Sequence, residues 1–384
     1  MLFGDHGVSL AQISTLFIIW SLTSFVFEVP SGAWADTIDR RHLLVLSALI
    51  YACAFSSWLL FQTYTGFALG FVLWGLSSAI MSGTFESLLY DELIERGVEG
   101  DYPRLIGWAH STAMTAALLA SLAAAPLFSL GGYGLVGWTS VAIAGVQAVL
   151  AATLPVSLRA RRPNSSGHGD HPLHEVVEET EALATRYVSM LRAGVREAST
   201  SVGVRRVVLI AAVLIGLTAY DEYFPLIARD HGVPTATVPL LIGLTVVGQV
   251  VGTALAGRSA RMSAGVMSAV VTAGAGLISV GALVTPYAGF AAIAVGYGLL
   301  NNAMLVAEAR LQQVITGPAR ATVTSVHGFA VEVFALVVYV SFAVFADVPV
   351  PTLVALLGIP ILAIAWCVRR WFPGPPVSGR RTPR

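Results

Sequence analysis

The stretch Glu28-Val29-Pro30-Ser31-Gly32-Ala33-Trp34-Ala35-Asp36-Thr37-Ile38-Asp39-Arg40-Arg41 decides the fold of this chain. It begins inside a long apolar run and passes through the small residue Gly32. It ends in a short acidic and basic turn, and a second apolar run starts at Leu43. A membrane span needs roughly 20 apolar residues. The stretch therefore predicts a helical hairpin whose two arms cross a membrane.

The composition of the whole chain indicates an integral membrane protein. Of its 384 residues, 56% are hydrophobic and 11% are charged, whereas soluble domains carry about 25% charge. The formal net charge is zero, so we expect no nucleic-acid partner. Cys53 and Cys367 both lie in apolar runs and predict neither a disulfide framework nor a metal site. Lysine is absent, which excludes a phosphate-binding loop, and we expect no enzymatic activity and no cofactor.

Eleven apolar segments are long enough to span a bilayer, five before residue 156 and six after residue 206. Each should be helical, because lipid cannot satisfy backbone hydrogen bonds. We predict spans at about 10–34, 43–62, 67–91, 105–128, 133–155, 207–228, 236–257, 263–285, 288–309, 322–345 and 350–370.

The arginines give the orientation of these spans. If the turn at 36–42 is cytoplasmic, 21 of the 22 basic residues fall on the cytoplasmic side and only Arg229 falls outside. This is a strong positive-inside pattern, and it includes Arg96, Arg104, Arg258, Arg261, Arg310 and Arg320 in short cytoplasmic turns. The C-terminus is then cytoplasmic and the N-terminus external. We expect a multi-pass protein of the inner or plasma membrane.

Four regions follow from this map. Residues 1–155 form a first bundle, 156–206 a cytoplasmic connector, 207–370 a second bundle, and 371–384 a disordered tail rich in Pro, Gly and Arg. An apolar pattern with helical spacing at about 172–199 predicts an amphipathic helix in the connector. His168, His171 and His174 lie in its polar linker, where we expect no metal site.

The two bundles repeat one another. Gly32, Asp36 and Arg41 in the first have counterparts at Gly252, Ala256 and Arg261 in the second, and Glu86 corresponds to Glu308. Internal repeats of this kind are common in secondary transporters. Gly248 and Gly252, four residues apart, also predict close packing of two helices.

The stretch around Gly32 resembles the loop signature of the major facilitator superfamily. That signature reads Gly, three residues, Asp, a basic residue, one residue, Gly and two basic residues. Gly32, Asp36, Arg40 and Arg41 match it, whereas Thr37 and Asp39 depart from it. The resemblance implies an all-α polytopic fold of two pseudo-symmetric helical bundles. This chain shows 11 spans (5 + 6) where the family has 12, so we infer that the first helix of the family is missing.

The resemblance also implies alternating access, in which the two bundles rock around a central substrate cavity. The signature loop acts as a gating latch in such proteins. Its Asp, here Asp36, caps the helix at 322–345, and its arginines, here Arg40 and Arg41, pair with an acid such as Asp91. A carboxylate at a helix N-terminus is favoured by about 0.3–1 kcal/mol. The alternative is that these charges only orient the hairpin.

Ionisable groups inside the spans are candidates for proton coupling or for the cavity, because such groups are costly in a membrane. Glu332 lies near the middle of 322–345, where a buried glutamate is readily protonated. The alternative for Glu332 is a neutral glutamate that joins two helices. The other candidates are Glu28, Glu86, Asp221, Glu222, Asn301, Asn302, Glu308 and His327.

The sequence therefore predicts a secondary active transporter that exports a small amphipathic molecule in exchange for protons. We expect a monomer whose partners are the substrate, protons and the bilayer. The 105–128 span has Ala123-Ala124-Ala125-Pro126 in place of the Gly-Pro-x-x-Gly pattern of drug–proton antiporters, which weakens the efflux interpretation. Uptake or facilitated diffusion of a polar solute stays open. So does a non-transporting membrane protein or truncated remnant.

Overall fold

The computed structural model describes residues 1–155, 189, 202–314 and 320–372, and these residues form helices and no β-strand. They divide into two compact units, Leu2–Ser189 and Met190–Arg384. The division falls inside the predicted connector. The amphipathic helix predicted in that connector and the tail beyond residue 372 lie outside the described residues.

The first unit consists of helices joined by short turns. Its helices are α1 (Leu2–Asp5), α2 (Leu10–Thr37), α3 (Arg40–Leu60), α4 (Tyr64–Met81), α5 (Thr84–Glu95) and α6 (Tyr102–Ala152). Within α6 the backbone is non-helical at Gly131 and Gly132, where Gly132 has φ 59°. A positive φ is readily adopted by glycine alone. These two glycines divide α6 into the two spans predicted at 105–128 and 133–155.

The second unit begins with a broken helix and continues with five long ones. Its elements are α7 (Val202–Gly216), a 3-10 segment (Leu217–Tyr223), α8 (Phe224–Asp230), α9 (Val238–Ser259), α10 (Ala264–Leu283), α11 (Pro286–Val314), α12 (Arg320–Val344) and α13 (Val350–Trp371). Over the described residues of both units, ten stretches are long and apolar enough to cross a membrane. One of these stretches contains both halves of α6, which the sequence predicts as two spans. The prediction of an all-α polytopic protein is confirmed.

Two of the predicted spans are not continuous α-helices. The span predicted at 67–91 breaks at Ser82 and Gly83, because Gly83 adopts a left-handed conformation with φ 69°. The span predicted at 207–228 changes into the 3-10 segment. Pro225, in the first turn of α8, has no N–H to donate to the carbonyl of Asp221. The Phe224 N–H bonds that carbonyl instead, which is the tighter 3-10 pattern.

The hairpin at the start of the chain is tighter than the sequence predicts. Helix α2 continues through Asp36 to Thr37, and α3 already begins at Arg40. The turn therefore consists of Ile38 and Asp39 alone. The Asp39 side chain accepts a hydrogen bond of 2.9 Å from the Arg41 N–H, which caps α3. Aspartate is a favoured N-cap residue, so this contact gives a physical reason for Asp39 at the position where the family signature has glycine.

In the first unit, α3 and α4 pack through polar contacts within an aromatic cluster. Ser47 and Ser77 donate hydrogen bonds to each other's carbonyls at 3.1 and 2.9 Å. The Trp58 indole donates to the Phe67 carbonyl at 3.1 Å. The Phe3 ring of α1 lies edge-on to Phe67, with centroids 4.8 Å apart. These contacts satisfy the buried polar groups internally, as a membrane requires.

In the second unit, α9 and α11 approach at backbone distance. A Cβ atom at Gly248 would lie 2.0 Å from the Ala294 carbonyl oxygen, and one at Gly252 would lie 2.0 Å from that of Gly298. The close packing predicted from Gly248 and Gly252 is confirmed. This approach brings the polar residues of α11 against α9.

Candidate transport site

The break between α7 and α8 carries two adjacent acids, Asp221 and Glu222. Both side chains are partly buried, and the flanking Tyr220 and Tyr223 are fully buried. The Tyr223 ring stacks on Phe342 of α12 with centroids 3.7 Å apart. The tyrosines hold the 3-10 segment in the core of the second unit. Discontinuous helices form the substrate and ion sites in many transporters.

Asp221 is tied to the neighbouring helices by a chain of hydrogen bonds. The buried Tyr297 of α11 donates its hydroxyl to the Asp221 carboxylate. The Asn301 amide donates to the Tyr297 carbonyl at 3.0 Å and accepts from Gln249 of α9 at 3.3 Å. The chain links α9, α11 and the broken helix. Of the two asparagines predicted from sequence, Asn301 belongs to this chain.

Tyr339, on the same helix α12 as Glu332, lies near the acids of the broken helix. The buried Tyr339 interacts electrostatically with Glu222, Asp221 and Glu332. Helices α7 and α12 approach closely at Gly216. A Cβ atom at this position would lie only 2.5 Å from the Val331 carbonyl oxygen. We call Asp221, Glu222, Tyr297, Glu332 and Tyr339 the acid–tyrosine cluster. Sequence periodicity did not single out its two tyrosines, since Tyr297 and Tyr339 sit in apolar runs as ordinary core residues do.

Glu332 lies at the midpoint of α12 (Arg320–Val344), as the sequence predicts. Its side chain is half-buried. The reason is geometric, since half of a helix surface faces away from the core of its own bundle. The accessible side is compatible with proton exchange.

The remaining acidic candidates do not join the cluster. Glu28 and Glu308 are exposed, and Glu86 is half-buried in the first turn of α5. The structure therefore gathers three of the six acids that hydropathy identified.

Two further candidates lie in packed positions. Asn302 is buried and donates to the Gly252 carbonyl at 2.9 Å, so it binds the facing helix α9. His327 of α12 is also buried, and its Nε2 atom has no hydrogen-bond partner among the described residues.

A second polar site lies at the α2–α3 hairpin. The Arg40 guanidinium forms an ion pair with the Asp91 carboxylate of α5 and donates to the Ser87 carbonyl at 3.2 Å. The Arg40 side chain is 11% exposed and that of Asp91 is 30% exposed. The pair therefore joins the hairpin to α5 in a largely desolvated setting. The side chain of Asp36 lies outside the described part of the structure.

The sequence map places Arg310 in a turn, whereas in the structure it lies within a helix and is buried. It lies in the last turns of α11 and is 1% exposed. Its guanidinium donates to the carbonyls of Ala260 and Met262 at 2.9 and 3.1 Å. Hydropathy ends the predicted span at residue 309, because the charge of Arg310 interrupts the apolar run. The carbonyls of the α9–α10 turn, supplied only by the fold, solvate this charge. The linker histidines His168, His171 and His174 lie outside the described residues.

The family model of the Major Facilitator Superfamily matches residues 1–337 of this chain. The chain belongs to the major facilitator superfamily. As a member it is a multi-pass membrane transporter and not an enzyme. The superfamily implies a small-molecule substrate and a lipid environment for the chain.

Solved structures share the fold of this superfamily member. The nucleoside transporter NupG has a TM-score of 0.67 at 12% identity, covering 97% of this chain and 92% of that chain. A bacterial homologue of the iron transporter ferroportin, in an inward-facing state, has a TM-score of 0.65 at 14% identity, covering 96% and 92%. At such identities the likeness concerns the fold alone.

This chain also matches one curated relative over part of its sequence. That relative is a molybdate-anion transporter of Takifugu rubripes, 29% identical over 122 residues, which cover 30% of this chain. The matched part spans only a quarter, 25%, of that relative.

Proposed function

We propose that this transporter works by alternating access and exports a small amphipathic molecule in exchange for protons. The observation that carries the proposal is the acid–tyrosine cluster at the break between α7 and α8. Three carboxyl groups gathered within a membrane-spanning bundle are costly when ionised. A proton that binds and leaves during each cycle relieves that cost.

The hydrogen bonds of the cluster give the proton a defined place. Tyr297 donates a hydrogen bond to Asp221, and Tyr339 interacts electrostatically with the carboxyl groups of the 3-10 segment and with Glu332. When one carboxyl group takes up a proton, the repulsion among its neighbours falls. The cluster supports a coupling site whose charge state affects the packing of α7, α8, α11 and α12.

The test measures transport by the full chain in proteoliposomes with an imposed proton gradient and a panel of fluorescent amphipathic dyes. Asp221→Asn and Glu332→Gln should abolish gradient-driven accumulation but spare dye exchange without a gradient. Glu308→Gln, an exposed candidate, is the control and should behave like the wild type. If accumulation is unchanged in both cluster variants, proton coupling at this site is excluded. Accumulation on the opposite side would favour uptake over export.

We further propose that the protein lies in the inner or plasma membrane as a monomer, with the connector and the C-terminus in the cytoplasm. The positive-inside distribution of the arginines supports this orientation. A cysteine introduced at Ser166, in a chain with Cys53→Ser and Cys367→Ser, should react with a membrane-impermeant maleimide only after the cells are opened. Labelling in intact cells would reverse the orientation.

A further inference from the structure

An open groove of about 500 Å³ runs along the second unit between α9, α10 and α11. Its walls are apolar and include Leu244, Val247, Val251, Leu255, Val295 and Leu299. Val251 is 52% exposed and Val295 is 57% exposed. From Leu244 to Ser259 the wall follows α9 for roughly 22 Å at about 1.5 Å per residue. This exceeds one leaflet of a hydrocarbon core of about 30 Å.

Two exposed arginines lie next to one end of the groove. Ser259 and Met262 line this end, and the exposed arginines Arg258 and Arg261 stand next to them in the chain. Between residues 231 and 307 the sequence contains no Asp or Glu, and its two arginines are Arg258 and Arg261. Neither forms an ion pair with any part of the chain that the structure describes, and the same holds for the exposed Glu308 of α11. The two positive charges therefore have no ion-pair partner among the described residues, and the one acid on the helices that form the groove, Glu308, is not paired with either.

Arg310 stabilises the end of the groove that Ser259 and Met262 line. Its hydrogen bonds to the Ala260 and Met262 carbonyls fix the α9–α10 turn against α11. The charged end is thus attached to a buried, hydrogen-bonded support. A ligand with one anionic end and one long apolar part fits this combination.

We propose that the groove binds one anionic phospholipid, with an acyl chain along α9 and the headgroup phosphate at Arg258 and Arg261. Basic residues between spans at the cytoplasmic side attract anionic headgroups. A second copy of the chain fits less well. Copies in one membrane share their orientation and pair by two-fold symmetry, which would bring the arginines of both grooves to the same depth.

The test uses the full-length protein in detergent with added phosphatidylglycerol or phosphatidylcholine, and bound lipid is counted by native mass spectrometry. The wild type should retain one phosphatidylglycerol in preference to phosphatidylcholine. The double variant Arg258→Gln/Arg261→Gln should lose that preference by roughly tenfold, since each arginine near an anionic lipid contributes to binding. Arg205→Gln, an exposed arginine outside the groove, is the matched control and should retain the preference.

A second pair of variants tests the apolar part. Val295→Trp fills the groove and should reduce retention of both lipids, whereas Val280→Trp, at 58% exposure on α10 and outside the groove lining, should not. Leu255→Trp serves as a second filling variant if thermal melting shows that Val295→Trp is unfolded. Equal retention by all folded variants would overturn the proposal. So would displacement of the lipid by inorganic phosphate alone, or a filling variant that breaks a dimer but leaves lipid binding intact.

Discussion

At the scale of single residues, partners decide which charges matter. Hydropathy identified six acids inside or near spans, and it set apart only Glu332, which lies near the middle of its span. The structure separates Asp221, which accepts from the Tyr297 hydroxyl, from Glu28 and Glu308, which are exposed. Tyr297 is about 76 residues away from Asp221 along the chain, so no local pattern could have paired them.

Removing the Tyr297 hydroxyl should impair coupling. A hydrogen bond to a charged group contributes about 1.5–3 kcal/mol, so Tyr297→Phe should lower gradient-driven dye accumulation by roughly tenfold or more. Proteoliposome transport at a fixed proton gradient measures this. Tyr287→Phe, whose ring is 62% exposed at the start of α11, is the control. Equal accumulation by Tyr297→Phe and the wild type would show that Asp221 does not depend on this donor.

The Arg40–Asp91 pair should contribute to the stability of the first unit. Arg40→Gln or Asp91→Asn alone leaves a largely desolvated partner behind, which costs about 1–3 kcal/mol. The double variant should cost less than the two single variants together, because the charges act on each other. Thermal unfolding in detergent measures all three.

The matched control for that pair is Arg96→Gln. Arg96 pairs with Glu92 four residues earlier on α5, and its side chain is 68% exposed. Such a surface pair contributes about 0.3–0.5 kcal/mol. A strictly additive double variant at Arg40 and Asp91 would argue against a direct interaction between them.

At the scale of helices, the breaks and the close contacts shape the site. Pro225 produces the 3-10 segment that carries Asp221 and Glu222, and Gly216 lets α7 approach α12 beside Glu332. The sequence predicted a continuous span at 207–228, since apolar content does not reveal a missing backbone donor within a run. The proline was visible in the sequence, but only the structure shows that the Phe224 N–H bonds the Asp221 carbonyl in its place and forms the 3-10 segment.

The contact between α9 and α11 should be intolerant of a single methyl group. Gly252→Ala places a Cβ atom against the Gly298 carbonyl oxygen, 2.0 Å away before any shift. Overpacking of this kind costs about 1–3 kcal/mol, so the melting temperature should fall. Gly257→Ala on the same helix has no atom within 4 Å of the new Cβ and should be neutral or slightly stabilising. A similar melting temperature for both variants would contradict the contact.

At the scale of the whole molecule, the proposed latch couples the hairpin to the conformational cycle. Gly32, Asp36, Arg40, Arg41 and Asp91 make up this proposed latch. Within the first unit, the Arg40–Asp91 pair is the part that the structure describes. The reach of Asp36 towards the helix at 322–345 stays a prediction from the family resemblance, as does the division of the chain into four regions.

Asp36→Asn should shift the resting protein towards cytoplasmic opening, because a neutral side chain stabilises a helix N-terminus less than a carboxylate does. A reporter cysteine at Gln313, in a chain with Cys53→Ser and Cys367→Ser, should then react several-fold faster with a maleimide from the cytoplasmic side. Asp39→Asn is the control, since asparagine caps helices about as well as aspartate. An unchanged labelling rate in Asp36→Asn would count against the latch.

The sequence by itself determined the class of this protein. Apolar run length, the arginine map and the residues from Gly32 to Arg41 were enough to predict a polytopic transporter of the major facilitator superfamily. These properties are local, because each span must satisfy its backbone and cross the bilayer individually.

Only the tertiary structure decided which polar residues work together. It brought Tyr297 to Asp221, Tyr339 to the two acids of the broken helix, and the carbonyls of Ala260 and Met262 to Arg310. It also showed that Asp39, which departs from the family signature, caps α3. The physical reason is that a buried charge or hydroxyl is stabilised by partners from other helices. The packing of the bundle, and no local sequence pattern, chooses those partners.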